Sequence, residues 1–264
     1  MNDYIIYDGV DIRSFDAYVY ERNTFSGPEK QYTTVAIPGR SGDFLLDGNR
    51  FGNVSHEYGV IIYRRFEENF ENLRAFLMSR NGYCRLEDSI HPGEFYHAYF
   101  TGPIVPTLTR QRDMGKFTLT FNRKPQRFLL SGEEEIILRT GGSGQRSYVT
   151  NPTYFNCSPL LMLKGDSLSS GFQFYINDTR VTMDEYTGSR ASYLNGRWVY
   201  IDFNTVQTYL KYSGTTYYFN DAVKYLLPSD TKKAFALSPG KNDLTFSSVS
   251  NAPEIRLIPR WYTI

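Results

Sequence analysis

Residues that could do chemistry occur at four places in this sequence. The first is IPGRSGDFLLDGNRFGN, residues 37–53, with four glycines, two aspartates and two arginines. A phosphate-cradling Walker loop ends in Gly-Lys-Ser/Thr and feeds a helix. Here Gly39-Arg40-Ser41-Gly42-Asp43 lacks the lysine and runs into FLLDG. The Gly-x-Gly-x-x-Gly spacing of a dinucleotide site is absent as well. Glycines 39, 42, 48 and 52 are therefore expected at positive-φ turn positions, where a Cβ is costly.

The second place is HPGEFYH, with His91, Glu94 and His97. Zinc ligands pair at i, i+4 on a helix or at i, i+2 on a strand, and a separation of six across Pro92-Gly93 suits neither. The segment reads as a β-hairpin with its loop near residues 88–93. Third, Asp184, Glu185 and Asp202 lie near Trp198, but glycosidase chemistry needs two carboxyls facing across a cleft, and no such arrangement is visible. The fourth is the tyrosine-rich KYSGTTYYFNDAVKYL (residues 211–226), which with Trp198 could stack sugar rings. Trp198 and Tyr217 are the residues such a carbohydrate site would use. Aromatics on sheet faces and in a sandwich core are the favoured reading of the same residues.

Nothing else resembles a catalytic set. No Ser/His/Asp order or nucleophile elbow occurs, and all three histidines fall between residues 56 and 97. Cys84 and Cys157 are far apart, in hydrophobic surroundings, and read as two buried free thiols. No enzyme activity, cofactor or metal is expected.

The elements that must position these residues are mostly strands. Aromatic residues make up 16% of the chain, including 22 Tyr and 19 Phe, which suits pleated, half-buried surfaces. KFTLTFNRK alternates Phe117, Leu119 and Phe121 against Lys116, Thr118, Thr120 and Asn122. GFQFYIN alternates Phe172, Phe174 and Ile176, and RWVYIDFN and EIRLIPRW are further strand candidates. One stretch, residues 66–80, departs from this pattern. Phe66, Phe70, Leu73 and Leu77 form the stripe of an amphipathic helix, with Glu67, Glu68 and Glu71 early, Arg80 in the last turn and Gly82 as the left-handed stop.

A composition shift over residues 131–152, from an acidic run to a Gly/Ser turn, marks the best domain boundary. It separates an N-terminal α+β domain, residues 1–135, from an all-β domain, residues 136–264. The 264 residues carry a net charge of +1, too balanced for a dedicated nucleic-acid binder. No apolar run is long enough for a membrane-spanning helix, so no membrane insertion is expected. The N-terminal MNDYIIYDGVDIRSFD lacks the basic and apolar regions of a secretory signal, so synthesis and folding in the cytosol are expected.

Several segments, in order, resemble the distal tail protein (Dit) family of siphophages. They are IPGRSGDFLLDGNRFGN with VSHEYGVIIYRR, then NLRAFLMSRNGYCRLEDSIHPGEFYHAYF, then NPTYFNCSPLLMLKG, VYIDFNTVQTY, FALSPGKNDLTF and IRLIPRW. The set spans nearly the whole chain and consists of turns and strands, with no catalytic residues to carry over. The resemblance implies a mainly β fold with one amphipathic helix: an N-terminal ring-forming (belt) domain and a C-terminal galectin-like β-sandwich. It also implies a homo-hexameric ring, single or stacked, at the virion tail tip, assembled in the host bacterial cytoplasm. The implied partners are the major tail-tube protein, tail-associated or tail-tip proteins, and receptor-binding or fibre proteins. Some longer family members carry inserted carbohydrate-binding modules, for which this chain has little room. A closed ring needs two different patches on each subunit. For such contacts the expected residues are Arg40, Asp43, Phe44 and Arg50, with Arg110 and Arg112 beside the turn at Gly115.

Overall fold

A computed structural model describes residues 3–109, 113–138, 145–164, 172–177, 179–183, 196–218, 236–247 and 254–264. The chain divides into two compact units, Met1–Phe128 with Ile264 and Leu129–Thr263.

The first unit contains β1 (Ile5–Tyr7), β2 (Val10–Asp11), β3 (Ala17–Asn23), β4 (Lys30–Val35), β5 (Phe44–Phe51), β6 (Val54–Ile62), α1 (Phe66–Met78), β7 (Cys84–Asp88), β8 (Glu94–Phe100), β9 (Thr107–Leu108) and β10 (Gly115–Leu129). Its main sheet runs β2-β1-β7-β8-β10-β6-β3, while β4 and β5 form a separate two-stranded ribbon. The alternation expected in KFTLTFNRK holds: Phe117, Leu119 and Phe121 are buried, and the residues between them face outward. The α1 stripe lies on that apolar face, with Phe66, Phe70, Leu73 and Leu77 all in the core and Phe70 edge-on to Phe117 at 5.2 Å. Gly115 makes room for the Phe66 ring, because a Cβ there would lie only 2.4 Å from its Cε2.

Two details of the helix differ from expectation. It ends at Met78 with Ser79 as a right-handed cap that donates to the Ala75 carbonyl. Gly82 does take a positive φ of 71°, but it lies beyond the helix. Arg80 is likewise outside the last turn. It pairs with Asp8 at 3.1 Å and covers the Phe76 ring, so it serves packing and not the helix dipole.

The second unit contains β11 (Ile136–Leu138), β12 (Gln145–Asn151), β13 (Leu160–Lys164), β14 (Phe172–Ile176), β15 (Thr179–Met183), β16 (Trp198–Asp202), β17 (Gln207–Tyr212), β18 (Thr215–Tyr218), β19 (Gly240–Ser247) and β20 (Ile255–Ile258). These make a six-stranded sheet, β11-β20-β13-β16-β17-β18, and a four-stranded sheet, β12-β19-β14-β15. Leu161, Ile201 and Leu257 of the first share one core with Val149, Phe174 and Phe246 of the second. Two sheets burying their facing sides against each other make a β-sandwich. Taken together, the described residues are mainly β with the single α-helix α1.

Candidate docking surface

The 37–53 stretch is not a loop between strands throughout. Its second half is strand β5, paired antiparallel with β4, so that Val35 faces Phe44 and Lys30 faces Phe51. The turn joining them starts with Arg40 N–H donating to the Ile37 carbonyl at 3.2 Å. Gly39 and Gly42 take positive φ in that turn, as expected. Gly48 and Gly52 do not. Asn49 adopts the left-handed conformation in their place, with φ of 50°, where the register shifts between Gln31 and Tyr32. The Asp47 carboxylate accepts from the Asn49 N–H, a local bond that lets an asparagine hold this conformation. Lys30 reaches the same carboxylate at 2.5 Å, which lowers the Asp47 pKa and raises that of Lys30.

The ribbon is unusual in what it leaves uncovered. Phe44, Leu45 and Leu46 are 50%, 55% and 47% exposed, and Tyr32, Val35 and Ile37 are similarly open. Neighbouring strand residues point to opposite faces, so Phe44 and Leu46 lie on one side and Leu45 on the other. Both faces are thus apolar, and neither strand pairs with any other strand among the described residues. An isolated two-stranded ribbon is marginal in water, and open strand edges are templates for another chain.

Arg40, Asp43, Phe44 and Arg50 all lie on this ribbon and are exposed. Arg110 and Arg112 fall outside the described residues. Sequence reasoning passed over Leu45, Leu46, Tyr32 and Val35. The signal was the unbroken FLL run, which no strand alternation explains.

The other candidate sites come apart. The 88–93 loop does connect a β-hairpin, β7 to β8, with Asp88 accepting from the backbone N–H groups of Ile90 and His91. The His91 ring meets Tyr96, while His97, next along the strand and on the other face, packs against Phe95 and Phe128. Glu94 pairs with Arg127 at 3.5 Å. No group of three His, Cys, Asp or Glu residues suited to a metal occurs among the described residues. Asp202 is held by Arg260 through bonds of 2.7 and 3.0 Å, and Asp184 and Glu185 lie outside the described residues. Trp198 is half-buried with the Arg256 guanidinium 4.8 Å over its ring. Tyr217 pairs with Leu210, which pairs with Val199, so it sits on the opposite face of the sheet from Trp198. One sugar ring cannot stack on both. Tyr218 shares the Trp198 face, in a row where Tyr200 and Tyr209 stack on each other at 5.2 Å. Residues 219–226 of the tyrosine-rich stretch lie outside the described residues. Both cysteines are free; Cys157 is buried, and Cys84 is half-buried and packs against the core of the first unit.

No family model matches the chain, and no curated protein matches it in sequence. Solved structures do. SPP1 Dit (gp 19.1), described as a paradigm of hub adsorption apparatus in Gram-positive infecting phages, matches with a TM-score of 0.73 at 14% identity, over 100% of both chains. A chain of the phage P2 baseplate in its activated conformation with calcium matches with a TM-score of 0.53 at 9% identity, over 97% of this chain and 98% of that one. The phage p2 baseplate activated with strontium gives 0.51 at 10% identity, over 97% of each. At such identities the likeness is one of fold, and over its whole length this chain has the fold of the SPP1 Dit hub protein.

Proposed function

We propose that this protein is the structural hub of a long, non-contractile phage or prophage tail tip. Six copies form a ring, single or stacked, that joins the tail tube to the baseplate and host-recognition proteins, without catalysis. The first unit builds the ring and the second is a galectin-like sandwich. Assembly takes place in the host bacterial cytoplasm. The observation that carries this reading is the fold likeness to a phage hub protein across the full length of both chains.

The β4–β5 ribbon gives the reading a physical basis. A ring closes through heterologous contacts, in which a projecting element of one copy meets a different surface of the next. A ribbon with apolar side chains on both faces and open edges fits that part, adding main-chain hydrogen bonds to apolar burial. Arg40, Asp43 and Arg50 then set its register by charge, together with Arg110 and Arg112. Burying the exposed halves of Phe44 and Leu46 contributes roughly 1 kcal/mol each.

Mass photometry and negative-stain imaging of the purified protein test this. Six-fold rings are expected from the natural sequence, and the double variant Phe44→Asp, Leu46→Asp should weaken each contact about 30-fold or more. A natural protein that stays monomeric at high concentration and binds neither tail-tube nor tail-tip proteins would overturn the reading.

A further inference from the structure

The ribbon leaves the main sheet of the first unit by two limbs, and both are tied to consecutive residues of β10. The outgoing limb, between β3 and β4, carries Ser26, whose carbonyl accepts from the Arg123 guanidinium at 3.3 Å. The returning limb carries Asn53, whose side-chain amide donates to Asn122 Oδ1 at 2.6 Å and to the Tyr83 hydroxyl at 2.7 Å. The Gly52 N–H donates to the Glu29 carbonyl at 2.9 Å and closes the base between them.

Arg123 is an unusual choice for a tether. It is only 2% exposed, and each of its acceptors among the described residues is neutral. Its Nε–H donates to His56 Nε2 at 2.7 Å, its other nitrogens reach the Lys124, Pro125 and Ser26 carbonyls, and its plane lies 4.8 Å from the Tyr96 ring centroid. A buried guanidinium is costly unless every donor is satisfied. Two of these carbonyls belong to β10 itself and the imidazole to its neighbour β6. Ser26 O is the one acceptor on a segment that could swing away, and leaving would strand a buried charge-bearing donor. The charge is therefore what holds the limb.

We propose that Asn122 and Arg123 together fix the direction in which the β4–β5 ribbon projects, each holding one limb from its own face of β10. The purpose rests on the docking role proposed above: a ribbon held in one direction loses less conformational freedom when it meets a partner. The clamp itself is a property of a single chain and is measured without assembly.

Spin labels introduced as unnatural amino acids at Ser41, in the turn of the ribbon, and Asn72, on the outer face of α1, read this direction by pulsed dipolar spectroscopy. The full chain is used at a dilution where it is monomeric. The natural sequence should give one narrow distance distribution. Asn122→Ala and Arg123→Met should each broaden it about twofold, and the double variant further, as the ribbon gains conformers. Hydrogen exchange of β6 and β10 in the same samples must keep its protection. An unchanged distribution in folded variants overturns the proposal, as does broadening that appears only when β6 and β10 lose protection. Asn122 is half-buried and carries no charge, so Asn122→Ala decides the matter if Arg123→Met does not fold. A monomer that fails to assemble yet shows a narrow distribution sinks the docking role and leaves the clamp standing.

Discussion

Acid should destabilise the first unit through one residue, His56. Its imidazole is fully buried, and Nε2 accepts from Arg123, so the ring proton must sit on Nδ1 and the ring must be neutral. Burial, followed by the Arg123 charge, pushes its pKa from the ordinary 6.5 down to about 3, with His91 and Arg127 adding to the fall and Asp88 opposing it. Tyr58 and Tyr96 complete the surroundings, edge-on to the ring at 6.3 and 5.2 Å. Between those two pKa values the unfolded chain binds a proton that the folded chain refuses. Stability therefore falls as pH drops below 6.5 and goes on falling toward 3. Each pH unit in that window costs about 1.4 kcal/mol, so going from pH 7 to pH 5 removes about 2 kcal/mol. His56→Gln keeps an acceptor near the Nε2 position and cannot be protonated. Hydrogen exchange of β6 and β10 amides, followed in both proteins over pH 5–7, measures the opening free energy of the first unit. Both tryptophans, Trp198 and Trp261, lie in the second unit, so their fluorescence serves as an internal control. Every other titratable side chain is common to the two proteins, so the difference between their pH slopes reports His56. Equal pH slopes for the two would refute the reasoning.

Two further outcomes are expected. Gly115→Val drives a side chain into the Phe66 ring and should cost roughly 1–3 kcal/mol, read as lost protection across α1 with Trp fluorescence unchanged. In the second unit, burial pushes the Asp202 pKa up, but the Arg260 hydrogen bonds and charge, with the Asn204 and Thr205 N–H groups, together outweigh it and leave the pKa lowered. Arg260→Ala should remove roughly 1–3 kcal/mol at neutral pH, since the guanidinium is partly exposed. That difference should fade as pH falls through the carboxylate range, because the pair stabilises only while Asp202 is ionised. Urea unfolding followed by Trp fluorescence at pH 7 and pH 3 checks both statements.

The sequence by itself determined whatever depends on residues close along the chain. The α1 stripe, the alternation of β10 and the 88–93 hairpin loop were all legible, because each follows from a local period or from an aspartate bonding to backbone two or three residues on. The absence of a lysine after Gly39 was enough to set the phosphate loop aside. The tertiary structure alone decided which side of a strand faces what, and which distant groups meet. Trp198 and Tyr217 looked like partners in composition, yet register across two strand pairs puts them on opposite faces, and a shift of one residue would have reversed that. FLLDGNRF reads as part of a turn region because Asp47-Gly48-Asn49 dominates locally. Only its pairing with β4 makes it a strand, and Phe44, Leu45 and Leu46 stay open to a partner because no layer among the described residues covers them. His56 and Arg123 lie 67 positions apart and carry no local signal; antiparallel pairing of β6 with β10 brings them together. Periodicity is written in neighbours, whereas register and burial belong to the whole fold.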